Sequence, residues 1–68
     1  MMPSGVVTWF DSGKGFGFIT PDAGGPDVFV EYTELAGGGW RTLRDGQRVE
    51  YTVTETRRGP EAHDVRAG

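Results

Sequence analysis

Three phenylalanines stand where apolar side chains and charges share a strand face. Phe16 and Phe18 fall in Lys14-Gly15-Phe16-Gly17-Phe18-Ile19, and Phe29 falls in Asp27-Val28-Phe29-Val30-Glu31-Tyr32. Side chains alternate along a strand, so Lys14, Phe16, Phe18 and Thr20 share one face while Gly15, Gly17 and Ile19 share the other. A face carrying Lys14 is hard to bury in a small protein, because an unpaired buried ammonium is very costly. The second stretch repeats the arrangement, with Val28 and Val30 on one side and Phe29 with Glu31 on the other. Burying the three rings instead would force Ile19, Val28 and Val30 into water. The parity therefore predicts an exposed aromatic surface, which is a feature of binding sites.

Catalytic chemistry finds little support. His63 is the single histidine, and beside Asp64 in a polar strand it reads as a solvated residue. Asp11 sits where a turn wants an aspartate, which removes the case for pairing it with Glu31 as acid and base. The glycine spacing of Gly13-Lys14-Gly15-Phe16-Gly17 matches neither the dinucleotide nor the Walker phosphate loop. With no cysteine there is no disulfide and no thiolate metal site. No metal, cofactor or small-molecule substrate is expected, and the chain reads as a binding protein without enzymatic activity.

The elements that must present the rings are short strands. The first is expected over about Ser4 to Asp11, with Val6 and Phe10 in the core and Thr8 in solvent. Strict alternation would turn Trp9 inward beside Val7, so its exposure requires a twist or bulge. The turn Asp11-Ser12-Gly13 leads to a second strand over about Lys14 to Thr20. Pro21 to Pro26 is a loop, since each of its prolines lacks the NH a ladder needs. A third strand covers about Asp27 to Glu31, and Thr33 to Ala36 makes one helical turn before Gly37-Gly38-Gly39. Gly46 to Thr54 alternates cleanly, with Val49, Tyr51 and Val53 inward. After the turn Arg57-Arg58-Gly59-Pro60, a last strand over about Glu61 to Arg66 returns Ala62 and Val65 to the core. Five short antiparallel strands, each with one apolar face, bury it by closing into a small barrel. The expected core is Val6, Phe10, Ile19, Val28, Val30, Leu43, Val49, Tyr51, Val53 and Val65.

Sixty-eight residues with 12 glycines and 4 prolines argue for one domain, residues 1–68, without long helices. Met1-Met2-Pro3-Ser4-Gly5 has no basic region followed by an apolar run, and no segment approaches membrane-spanning length. The chain reads as soluble and cytoplasmic, with no membrane partner. Its net charge of -3 is the wrong sign for a protein held to nucleic acid mainly by phosphate contacts. Nucleic-acid binding would then rest on stacking more than on charge. A barrel whose edges close is expected to be a monomer.

Lys14 to Ile19 together with Val28 to Tyr32 resembles the paired RNP1 and RNP2 motifs of the bacterial cold-shock protein family, and Gly59-Pro60-Glu61-Ala62 resembles its closing strand. The similarity runs from about Ser4 to Val65. It implies an all-β, five-stranded antiparallel OB-type barrel that binds single-stranded RNA and DNA by stacking bases on aromatics, acting as an RNA chaperone and as a regulator of transcription or translation in the stress response. Carried over position by position, the resemblance implies nucleic-acid-binding roles for Trp9, Lys14, Phe16, Phe18, Phe29 and Tyr32, for Trp40 in the following loop, and for Arg58 near the last turn.

Three departures from the family pattern modulate that expectation. Thr8 stands where most bacterial members have lysine, Asp11 where they have asparagine, and Glu31 where they usually have histidine. Each removes a cation, a donor or both, so weaker binding is expected with the stacking surface retained. An RNA recognition motif shares the opening Lys-Gly-Phe-Gly-Phe, but its signature ends in an aromatic where this chain has Pro21, and there is no room for its helices. The rival of another class is a diverged barrel whose aromatic face binds a protein partner.

Overall fold

The computed structural model describes residues 3–36 and 42–68. The readings of Gly37-Gly38-Gly39 and of Trp40 lie outside the described residues. Among the described residues five strands follow one another: β1 Ser4–Asp11, β2 Phe16–Pro21, β3 Val28–Glu31, β4 Arg48–Thr56 and β5 Gly59–Ala67, with one 3₁₀ turn at Tyr32–Glu34. They close into a barrel in the order β1-β2-β3-β5-β4. All neighbours are antiparallel except β3 and β5, which meet in parallel at Phe29 and Glu61. The five-stranded barrel expected from the sequence is present, and that seam departs from its otherwise antiparallel pairing. The seam arises because the chain leaves β3, crosses to β4 and returns through β5 in the same direction as β3.

Trp9 is exposed through a bulge in β1. Val7 faces Ile19 and Trp9 faces Phe18, so Thr8 is an extra residue on β1. Alternation restarts there, which buries both Val7 and Phe10, three residues apart, and turns Thr8 and Trp9 outward together. The core assignment shifts accordingly: Val6 is half-buried, and Val7 is in the core. Strict alternation places Val7 inward, as observed, and the expected core position of Val6 is the one that fails.

β5 carries the counterpart. Glu50 pairs with Arg66 and Thr52 with His63, leaving one extra residue on β5, where Asp64 has φ 52°. Asp tolerates that left-handed conformation better than most residues. Ala62 and Val65 are thereby both buried, again three apart. The uneven pattern of the last strand is this bulge.

β2 starts later than expected. Lys14 and Gly15 belong to the turn before it: Asp11 Oδ1 accepts from the backbone N–H of Gly13 at 2.9 Å and of Lys14 at 3.0 Å, and Gly15 takes φ 79°. The alternation beyond holds, with Gly17 and Ile19 buried and Phe16 and Phe18 turned away from the core. In β3, Val28 and Val30 are buried and Glu31 is exposed. The buried set is Val7, Phe10, Ile19, Val28, Val30, Leu43, Val49, Tyr51, Ala62 and Val65. Val53, expected inside, is 38% exposed. β1 pairs with β4 only across Arg48 to Glu50, so farther along β4 the barrel wall is no longer closed over Val53. It lies at the rim beside Pro3, Pro21, Pro26 and Pro60.

Candidate nucleic-acid interface

The outward side chains of β1, β2 and β3 form a connected group of rings. Phe18 and Phe29 are direct cross-strand partners, and Phe16 lies opposite Glu31 one ladder step along the same face. Trp9 and Phe16 meet edge-on with centroids 5.5 Å apart, and Trp9 and Phe18 lie nearly parallel at 6.4 Å. Phe29 completes the group at 5.8 Å from both Phe16 and Phe18. These are favourable aromatic separations, so the rings hold one another in place without being buried. Trp9 stays 42% exposed and Phe18 36%, while Phe16 and Phe29 are half-buried.

Tyr32 extends the surface from the first residue of the 3₁₀ turn and is 43% exposed. Its ring lies against Gly15, where an added Cβ would stand 2.7 Å from Tyr32 Cδ1, and its N–H donates to Gly15 O at 2.8 Å. Gly15 therefore serves the turn and the seating of Tyr32. Lys14 lies beside Tyr32, Ser12 and Gly13, and its side chain is exposed. At the opposite end, Phe18 and Phe29 wall a recess of about 230 Å³ with Arg58, Pro60 and Glu61. Of the residues singled out in the sequence, the structure brings Trp9, Phe16, Phe18 and Phe29 together, flanks them with Lys14 and Tyr32 at one end, and places Arg58 at the other.

Thr8, Asp11 and Glu31 occupy three different settings. The Thr8 hydroxyl is hydrogen-bonded to that of Thr20, and Thr20 Oγ1 donates to Asp27 Oδ1 at 3.3 Å. Asp11 uses Oδ1 to cap its turn. Glu31 projects beside Phe16 and forms no ion pair among the described residues. Glu61 is a feature the sequence reading missed: it reaches the aromatic face only through the parallel seam with Phe29, a long-range pairing for which local pattern carries no signal.

A closed five-stranded barrel with aromatic side chains clustered on one face defines an oligonucleotide-binding type of barrel. The sequence pattern of the "Cold-shock" DNA-binding domain family matches residues 3–67, and the chain belongs to that family. It is 54% identical over 65 residues to the probable cold shock protein A of Mycolicibacterium smegmatis, covering 96% of this chain and 97% of that one. It is 48% identical over 64 residues to the cold shock protein ScoF of Streptomyces coelicolor, covering 94% and 96%. The fold also matches a solved structure of Drosophila Unr CSD456 with a TM-score of 0.81 at 19% identity. That match takes in the whole of this chain and 27% of the longer one. The family binds nucleic acid, single strands among it, and its members are not enzymes. Among the described residues, no helix is long and apolar enough to cross a membrane.

Proposed function

We propose that the face built by Trp9, Phe16, Phe18 and Phe29 binds single-stranded RNA and DNA by stacking bases, with Lys14 and Arg58 meeting phosphates at its two ends and Tyr32 and Trp40 adding rings. The observation that carries this reading is the four-ring group, held at 5.5 to 6.4 Å between centroids yet open to water. Every base has an aromatic face, so such a surface accepts bases with little reading of their edges, each stack being worth roughly 1 to 3 kcal/mol by truncation. A duplex hides those faces. Binding only the open form shifts a hairpin towards it, which is the work of an RNA chaperone and needs no nucleotide hydrolysis. On this reading residues 1–68 act as one domain and as a cytoplasmic monomer, with Thr8, Asp11 and Glu31 lowering affinity.

The test is a titration with a short pyrimidine oligonucleotide, followed by tryptophan fluorescence and repeated with a matched duplex at two salt concentrations. Quenching by the single strand alone is expected. With two or three cations on phosphates, the log-log salt slope should be about -2 or shallower, at roughly 0.7 per phosphate. Absence of any response at tens of micromolar strand rejects the reading, and turns attention to a protein partner for the aromatic face.

A further inference from the structure

Arg58 and Glu61 line the recess beside Phe18 and Phe29, and they form no ion pair with each other. Thr56 organises this end of the barrel. Its hydroxyl accepts from the Arg58 backbone N–H at 3.1 Å, lies 2.8 Å from Gly59 O and stands 3.4 Å from Glu61 Oε2. A hydroxyl has one proton to donate, and the shorter contact to Gly59 O claims it. The Glu61 carboxylate therefore keeps its accepting capacity, and Glu61 lines the recess. The cross-strand pairing of Glu61 with Phe29 fixes its place next to a ring on which a base would stack.

We infer that Glu61 selects the base entering this recess, favouring guanine over adenine, thymine and uracil. The inference rests on the stacking reading above and adds edge recognition at one position of an otherwise tolerant surface. An ionised carboxylate only accepts hydrogen bonds, and its two oxygens can take two parallel donors. Guanine presents N1–H and the 2-amino group side by side on its Watson–Crick edge, while adenine offers one exocyclic amine. Uracil and thymine present a single N3–H between two carbonyl oxygens, which meet the carboxylate with like charge. Unstacked bases in single strands are open to reading on these edges.

The experiment uses seven-nucleotide DNA strands of thymidine with one central base changed to guanine, inosine, adenine or left as thymine, titrated by tryptophan fluorescence. A single variable base lets the strand slide until that base sits in the recess. Guanine should bind about fivefold tighter than thymine, the low end for a paired edge contact because the recess is open to solvent. Inosine, which keeps N1–H and lacks the amino group, should fall between them, and adenine, the control for purine stacking, should stay within about twofold of thymine. In Glu61→Gln the guanine-to-adenine ratio should fall to near one, with thymine binding kept or tightened. Equal affinity for guanine, inosine and adenine in the unaltered protein overturns the inference while leaving stacking intact, as does an undiminished guanine preference in Glu61→Gln. Failure of every strand to bind overturns stacking and edge selection together.

Discussion

On the aromatic face of β2 and β3, rings meet water and Lys14, Glu31 and Arg58 stand without ion-pair partners among the described residues. Where the start of β1 and the end of β2 meet β4, the arrangement is reversed. Ser4 Oγ donates to Asp22 Oδ2 at 2.9 Å, Arg48 forms an ion pair with the same oxygen, and the Asp22 N–H donates to Ser4 O at 2.9 Å. One region has used its polar groups on itself and is structurally complete. The other has apolar area and charge that the fold leaves without a use, and a ligand is what supplies one. The difference separates residues that hold the barrel together from residues it displays.

The largest expected effect comes from the point where display depends on the barrel. Gly17 faces inward beneath the rings, and a Cβ added there would fall on Trp9 O and within 2.7 Å of Phe10 Cα. Both obstacles are backbone of β1 next to the Thr8 bulge, so neither can swing aside. Gly17→Ala should lower stability by about 3 kcal/mol, the upper part of the overpacking range, and the melting temperature by more than about 10 °C. Thermal unfolding checks this. A variant that melted unchanged would mean that β1 and β2 do not approach as closely as the bulge requires.

Adjacent residues on β2 sharpen the contrast at comparable magnitude. Ile19 is fully buried and Phe18 is displayed. Ile19→Ala should cost about 2 to 4 kcal/mol of stability while leaving the affinity of the folded fraction unchanged. Phe18→Ala should weaken oligonucleotide binding by about 5- to 150-fold, the equivalent of one lost stack, with about 1 kcal/mol or less of stability lost. Denaturant unfolding and fluorescence titration of the two variants give the comparison directly. If Phe18→Ala unfolded the protein as readily as Ile19→Ala, the rings would be core and the division of the two faces would fail.

How much of this was legible in the sequence follows from which interactions are local. The alternation of Phe16 and Phe18 against Gly17 and Ile19, and of Phe29 against Val28 and Val30, is written within single strands and holds in the structure. β1 was bounded at Ser4–Asp11, as observed. What local parity could not show is where a strand gains a residue. The bulges at Thr8 and Asp64 reset alternation, let Val7 and Phe10 both be core, and made β5 look irregular. An apolar pair three residues apart, Val7 with Phe10 or Ala62 with Val65, is the signal that locates the bulge: in β1 a twist or bulge is expected from Trp9 alone, and in β5 the pair reads only as imperfect alternation. Val53 was misplaced for a different reason: its own strand alternates correctly, but the neighbour that would cover it ends earlier. The same limit hid Glu61, which the parallel seam brings to Phe29 from across the chain.

The smallest effect tests the closed, paired region. The hydrogen bond from Arg48, helped by the Ser4 hydroxyl, holds the Asp22 carboxyl below its ordinary value. In the unfolded chain that carboxyl titrates near pH 3.9, so on acidification the unfolded state takes up the proton first. The contribution of Asp22 is therefore present above about pH 4 and is lost as the pH falls below it. Because the pair is exposed, the change should be small and reduced by salt. Tyr51 gives the opposite limb: burial, with the negative charge of Asp22 adding to it, raises its hydroxyl above the usual value. Stability tied to that proton is lost as the pH rises past about 10. Denaturant unfolding across pH 2.5 to 6 should show a shallower acid slope in Asp22→Asn than in the unaltered protein, with oligonucleotide affinity at neutral pH the same in both. An altered affinity would mean that the charges around Asp22 set the position of the rings through β1 and β2, and that the displayed face is coupled to the paired one.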